Sequence, residues 1–369
     1  MRNSDLFLFM GKCLSMESNP SAREEVVNQI TRGEIPWEKF VWMGSSHLVL
    51  PALYTLFQRN GLLSLIPVDL ADHLHGVYAL NLERNRKIRD QCLGIASLLS
   101  SRGIEPLFMK GAGFLLSGLY ADEGDRIMQD VDILLPPGKA EEAWRSLSEA
   151  GYETYRHPEE DNAYGNHHHL SPLYAPGKPA SVELHRSPVR EQFGKLMSAG
   201  EMFSRAKRVG EDCLVSSLPD SQLMVFLREL VSSGRFLSSA GSMKSLCDFY
   251  LLAKLRRPDP GALPPGRIRK KYFCYGRIAA VVFNDPALFG VSSGVLYPLC
   301  WKKEAFLLNH PGWDEFWFKW IYTGFHFILL LFKAPFSDVS WRLLKRKVNN
   351  FFKRKGQKTC GDWNKTTDN

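Results

Sequence analysis

The chain has 369 residues, of which 44% are hydrophobic and 23% charged. That balance excludes a disordered polyelectrolyte and allows two or three domains with substantial buried cores. The formal net charge is +8, yet the segment WRLLKRKVNNFFKRKGQK, 341–358, alone holds eight Lys or Arg and no acid, so the remainder is nearly neutral and lacks the broad basic character of a nucleic-acid-binding core. Seven cysteines, at 13, 92, 213, 247, 274, 300 and 360, contain no C-x-x-C pair. An odd, scattered set excludes a disulfide framework and a zinc knuckle, and the expectation is reduced thiols in a cytoplasmic protein.

Residues 1–100 are expected to be helical. MRNSDLFLFMGKCLSM has one early Arg and a brief apolar stretch closed by Lys, which fits a first amphipathic helix better than a signal peptide. Further on, Leu80, Ile88, Cys92, Ile95 and Leu99 fall on one helical stripe that ends at Gly103. The pattern then changes. IEPLFMKG is strand-like, AGFLLSGLY reads as a helix, RIMQDVDILL as the next strand, and PPGKAEEAWRSLSEAGY as a helix stopped at Gly151. NHHHLSPLY and ASVELHRSP are two further strands joined through the turn-forming APGKP.

After residue 200 helical spacing returns, with at least two helices in PDSQLMVFLRELVSSGRFLSSAGSMKSLCDFYLLAKLRR and a Pro/Gly-rich linker at 256–267. EFWFKWIYTGFHFILLLFKAPF is the most apolar stretch, but only thirteen residues separate Lys319 from Lys333. A membrane-spanning helix needs roughly 20, so the stretch predicts a buried helix, with an interfacial helix beside the basic tail as the alternative. The predicted fold is therefore α+β: a small mixed-sheet core at 101–200, helical regions at 1–100 and 201–336, and a basic tail at 337–369.

Within that core, DRIMQDVDILL sets Asp130 and Asp132 one residue apart. In a strand both point the same way, while Val131 and Ile133 point into the core. Two like charges so close raise each other's pKa unless a cation lies between them. A solvated strand face accounts for D-x-D as well as a metal does, until other residues converge on it. Three do. Gly111 ends the preceding strand and lets backbone N–H groups approach a phosphate, with Lys110 as a neighbouring cation. Arg126 lies four residues before Asp130 and can clamp a polyphosphate or balance Glu123 and Asp125. Glu183, in SVELH, is a lone acid on a strand whose Val182 and Leu184 point the other way.

These residues resemble the nucleotidyltransferase superfamily related to DNA polymerase β, and more closely a bacterial branch with the pattern KGxA, RxMxDxD and ELH. Here the elements are Lys110-Gly111-Ala112, Arg126-Ile127-Met128-Gln129-Asp130-Val131-Asp132, and Glu183-Leu184-His185. The turn has Ala112 where the superfamily usually has Ser or Gly, and the third acid is Glu rather than Asp. The resemblance implies that Asp130, Asp132 and Glu183 hold Mg²⁺ or Mn²⁺ against an NTP. It also implies that Glu183 takes a proton from the attacking hydroxyl, and that Lys110, Gly111, Ala112, Arg126, His185 and His169 contact substrate. The product would be a nucleotidylated acceptor plus pyrophosphate. A small molecule, a sugar, a protein side chain and an RNA end all remain open as acceptors, RNA least in view of the balanced core charge.

Other signals have plain structural readings. In the His167–His169 triplet, alternation prevents all three side chains from meeting one ion, so a polar strand beside the site competes with a substrate-contacting His167 or His169. Asp248, an acid on an apolar helix, reads as the partner of a buried group. Trp313, Trp317, Trp320, Phe325 and Phe327 read as core packing. The rival functional class is a non-catalytic nucleotide-binding or scaffold protein whose tail docks on a membrane or partner, placing the protein in the cytoplasm or at a membrane surface.

Overall fold

Strand alternation is what gives this protein two separate cores and one polar face. The computed structural model describes residues 1–154, 168–211, 213–231, 241–289 and 297–313. The chain divides into a unit of Met1–Asn309 and a second unit from His310 onward. The apolar stretch at 315–336, its aromatics beyond Trp313, and the basic tail lie outside the described residues.

Five helices come first: α1 (Asn3–Ser15), α2 (Pro20–Thr31), α3 (Trp37–Ser46), α4 (Leu50–Arg59) and α5 (Val68–Ser100). The first of them is the amphipathic helix expected at the start of the chain, and it buries Leu6, Phe7, Phe9, Met10 and Cys13. The Asn19 side chain caps α2 by accepting from the Ala22 N–H, with Pro20 in the first turn where its missing N–H costs nothing. Ile88, Cys92, Ile95 and Leu99 of α5 are buried as expected, but Leu80 is 72% exposed. The stripe begins at Ile88, about two turns later, because the preceding part of α5 buries Asn81 and Asn85 instead. No helix among the described residues is long and apolar enough to cross a membrane.

The α/β elements follow: β1 (Leu107–Phe108), α6 (Lys110–Leu116), β2 (Asp130–Leu134), α7 (Ala140–Glu149), β3 (Ser181–His185), α8 (Ala199–Arg205), β4 (Lys207–Val209) and β5 (Cys213–Val215). They build one mixed sheet in the order β3-β2-β1-β5-β4. β2 runs parallel to β3 and antiparallel to β1, while β5 runs parallel to β1 and antiparallel to β4. The mixed sheet with flanking helices matches the α+β expectation. Its last two strands lie beyond residue 200 and carry no sequence signal, because three-residue strands are too short to display alternation. The described part of the expected strand NHHHLSPLY, from His168 onward, makes isolated bridges, His169 to His185, Leu173 to Val182 and Tyr174 to Glu153.

Helices α9 (Leu218–Val231), α10 (Met243–Leu255), α11 (Arg267–Val282) and α12 (Tyr297–Asn309) complete the unit. Cys274 and Cys300 pair as a disulfide. This corrects the expectation of reduced thiols throughout, since residues 26 apart in sequence give no spacing signature. Cys13, Cys92, Cys213 and Cys247 are free and buried, as expected.

The two sheet faces differ. Phe108, Val131, Ile133, Val182, Leu184, Cys213 and Val215 point into a core shared with the second half of α5 and with Ala140, Ala143 and Leu147 of α7. On the opposite face Leu107, Leu134 and Leu214 join the larger core built by the flanking helices. The same alternation carries Asp130, Asp132, Glu183 and His185 to that second face.

The loop that leads into β2 is held by side chains from helices α5 and α4. Asn81 donates to the Gly124 carbonyl at 2.7 Å, and Asn85 to those of Glu123 and Arg126 at 2.5 and 2.9 Å. Arg84 donates to the carbonyls of Met128 and Pro179, tying the approaches to β2 and β3 together. From α4, Thr55 donates to the Asp125 carboxylate at 2.5 Å.

Burial pushes the Asp125 carboxyl up to about 7, against the pull of Thr55 and Arg59. A carboxyl that keeps its proton longer when folded favours the folded state at low pH, and that contribution is lost as pH rises through the folded pKa. Wild-type unfolding free energy, followed by urea titration from pH 4 to pH 7, should therefore fall relative to Asp125→Asn by about 1 kcal/mol per pH unit.

Candidate active site

The site begins at the junction of β1 and α6. Lys110 opens α6 with φ +49°, a left-handed conformation that costs a side-chain-bearing residue about 1–3 kcal/mol and persists only where the surroundings enforce it. The two glycines that follow are steric requirements. A Cβ on Gly111 would lie 2.6 Å from Arg126 Nη1, and one on Gly113 would lie 2.7 Å from the Phe108 carbonyl oxygen. The first lets the Arg126 guanidinium press against the start of α6, and the second lets α6 sit on β1. Ala112 faces the other way, buried in the core beneath the sheet, so only its backbone is near the site.

From β2 and β3 come the acids. The parallel register sets Asp132 beside Glu183 and Asp130 beside Ser181. Ligand atoms of Asp132, Glu183 and His185 lie within 4.8 Å of one another, a group that can hold a metal ion. Asp130 is not in that group. It sits two residues back on the same face, lining the cavity with Asp132. His185 joins because its Nε2 lies 2.8 Å from Asp132 Oδ1 and 3.7 Å from Glu183 Oε2, while its Nδ1 is buried without a hydrogen-bond partner. The expected metal set of Asp130, Asp132 and Glu183 and the observed cluster thus share two members.

Charge is compensated tightly here. Burial alone would raise the Asp132 carboxyl, but the Lys110 ammonium against Oδ1 and the hydrogen bond with His185 hold it well below the usual carboxylate range. Glu183 is also lowered, chiefly by His185. Asp130 is raised, by burial and then by repulsion from Asp132. The Lys110 ammonium thus occupies the position beside Asp132 where a metal would neutralise the same carboxylate.

Arg126 lines the cavity and is at the same time held from behind by a buried acid. It precedes β2 in the loop, 5% exposed, and its Nε and Nη2 each donate at 2.8 Å to one carboxylate oxygen of Asp248 on α10. Tyr120 donates to the same carboxylate at 2.6 Å. Burial lowers the Arg126 pKa, but Asp248 outweighs it and keeps the group charged. Two of its faces are therefore committed within the protein, and the rest borders the cavity.

That cavity holds about 230 Å³. Lys110, Gly111, Arg126, Asp130, Asp132 and His168 line it from the sheet side, and Pro188, Val189, Arg190 and Phe193 from the segment after β3. Met224, Leu227, Arg228 and Lys244 close it from α9 and α10. His169 stands beside it, its Nδ1 2.9 Å from the Leu170 carbonyl oxygen and its ring 5.2 Å from that of His185. His168, not His169, reaches the cavity, and burial with the neighbouring His185 and His169 pushes its pKa down to about 3, so it stays neutral. Arg190, Arg228 and Lys244 escaped sequence reasoning: none belongs to a motif, and Arg228 and Lys244 read as solvent-facing residues of amphipathic helices, while His168 was visible in the triplet but not singled out as the member that reaches the cavity.

Set against known families, residues 33–263 match a family described as uncharacterised nucleotidyltransferase. No curated protein and no solved structure matches.

Breaking the Arg126–Asp248 pair should be costly, because it leaves a buried charge unpaired. Asp248→Ala is expected to lower stability by about 3–5 kcal/mol, and Tyr120→Phe, which removes one hydrogen bond to a charged acceptor, by about 1–3 kcal/mol. Urea unfolding of the two variants checks both the size and the order.

Proposed function

The chain belongs to this nucleotidyltransferase family, and from that premise we propose that it moves a nucleoside monophosphate from an NTP to a hydroxyl-bearing acceptor, releasing pyrophosphate. The observation that carries the reading is the Asp132–Glu183–His185 cluster beside a cavity also lined by Asp130 and Lys110. Two carboxylates at this spacing, with Asp130 two residues away on the same face, fit a divalent cation, Mg²⁺ or Mn²⁺, once the Lys110 ammonium moves off Asp132. Asp130, Asp132 and Glu183 would hold it, and once bound it neutralises charge developing at the α-phosphate.

The chain's own groups do the rest. Glu183, kept ionised by His185, accepts the proton of the acceptor hydroxyl as its oxygen bonds to the α-phosphorus and the bond to the pyrophosphate oxygen breaks. Lys110 transfers its ammonium from Asp132 to the phosphates. Gly111 and Ala112, in the first turn of α6, offer backbone N–H groups that have no intrahelical acceptor. Arg126 contributes fixed positive charge, held by Asp248. His185 orients Asp132, while His168 and His169 border the substrate. The strained Lys110 backbone and the Asp132 repulsion that outweighs the nearby cations on Asp130 both fit a site organised around a ligand rather than around itself.

The basic run at 341–358 supports contact of residues 337–369 with a polyanion or an anionic membrane surface, at which a cytoplasmic enzyme would work. Nearly neutral charge elsewhere favours a small molecule, sugar or protein acceptor over RNA.

Incubation with each of the four NTPs and Mg²⁺ or Mn²⁺ should release pyrophosphate or self-label the protein. Asp132→Asn and Glu183→Gln should each reduce the rate at least 100-fold, in line with losing a metal ligand or general base, without change in the circular dichroism spectrum. NTP binding with no release under any metal would point instead to a nucleotide-binding scaffold.

A further inference from the structure

Three cations of the cavity wall lack a hydrogen-bonded or ion-paired acid among the described residues: Arg190, Arg228 and Lys244. Their neighbours are otherwise occupied. Lys110 rests on Asp132, Arg126 on Asp248, Arg186 on Glu141 and Arg205 on Asp220. Unpaired arginines on an open surface need no explanation. Lys244 is different, since it is only partly exposed and borders a cavity that already contains Arg126 and Arg228.

The placement of Lys244 follows from α10. Lys244 and Asp248 are four residues apart and therefore lie on one helix face. Asp248 uses that face to hold Arg126 by two hydrogen bonds. One helix thus brings two positive groups to the same cavity, its own lysine directly and the loop arginine through the aspartate. Burial, reinforced by Arg126 and Arg228, lowers the Lys244 ammonium to about 8. Asp248 and Asp130 offset that repulsion in part, but neither is paired directly with Lys244, and an anion in the cavity relieves the remainder.

We propose that Arg190, Arg228 and Lys244 form an anion subsite that takes the terminal phosphates of a nucleoside triphosphate and retains the pyrophosphate until release. The naming of the ligand rests on the nucleotidyl-transfer reading above, whereas the anion subsite itself rests on the unpaired cations. Asp130 and Asp132 border the same cavity, so a triphosphate meets both the acids that would hold a divalent cation and the basic groups that bind phosphate directly. The three cations then discriminate by phosphate number, since more anionic oxygens engage more of them.

Calorimetric titration of the full-length protein with inorganic tripolyphosphate in the presence of EDTA tests the subsite apart from catalysis and metal. Wild type should bind tripolyphosphate more tightly than pyrophosphate, and pyrophosphate more tightly than orthophosphate. Lys244→Met and Arg228→Met should each weaken tripolyphosphate binding at least tenfold. Lys244→Arg should restore most of the loss, and Lys87→Met, on the exposed surface of α5, should bind as wild type does. Unchanged affinity in both Lys244→Met and Arg228→Met overturns the proposal, as does a wild-type protein that ignores tripolyphosphate. The two readings fail separately. Loss of binding in the variants without pyrophosphate release from any NTP retains the subsite and removes the transfer reaction. Pyrophosphate release with an unaltered KM for NTP in Lys244→Met and Arg228→Met removes the subsite alone.

Discussion

The buried pairing of Arg126 with Asp248 is the constraint on which the rest of the site depends. It joins a loop before β2 to a helix 122 residues later, and both partners are almost wholly shielded from solvent. A lone guanidinium could not be buried there at tolerable cost, nor could a lone carboxylate. Because each requires the other, the helical roof and the sheet must close to one geometry. Gly111 exists in its present form because the guanidinium leaves no room for a Cβ. The start of α6, the cavity wall and the position of Lys244 all follow from that closure.

A second layer of constraint acts through backbone carbonyls. The loop before β2 has no regular structure to satisfy its polar groups, so α5 supplies Asn81, Arg84 and Asn85 to donate to them. Buried carbonyls without donors would each cost on the order of 1–3 kcal/mol. This is why α5 interrupts its apolar stripe with two asparagines and leaves Leu80 outside. The acids of β2 are thereby aimed by a loop that has been fixed from two directions, by α5 on one side and α10 on the other.

Electrostatically, the cavity wall carries both signs of charge. Asp130, Asp132 and Glu183 concentrate negative charge on two adjacent strands, with Lys110 against Asp132. Arg228 and Lys244 on α9 and α10 add positive charge that no directly paired acid neutralises among the described residues. A ligand with one end suited to a metal-bound oxygen and another end rich in anionic oxygens matches both. Such an arrangement is stabilised by what it binds, which explains how groups that repel one another can be retained side by side.

Much of the sheet was legible in the sequence because its information is local. Asp130-Val131-Asp132-Ile133 and Val182-Glu183-Leu184-His185 announce strand, face and chemistry within four residues each, by alternation alone. The glycine turn at 111–113 was visible too, although the steric reason for Gly111 was not, since its neighbour Arg126 reaches it only in the folded chain. What alternation could not supply was any pairing between distant segments. Strands β4 and β5 are too short to show a period, Cys274 and Cys300 meet without a spacing signature, and Lys244 looks like any lysine on a helix. The sequence by itself therefore determined which residues carry the acidic chemistry and that they share one face of a sheet. Only the tertiary structure decided that Arg126 is locked by Asp248, that His185 joins the acids, and that Arg190, Arg228 and Lys244 meet at the cavity without a directly paired acid among the described residues. Those decisions depend on which buried charges find partners, and that is settled only when all the elements close around one another.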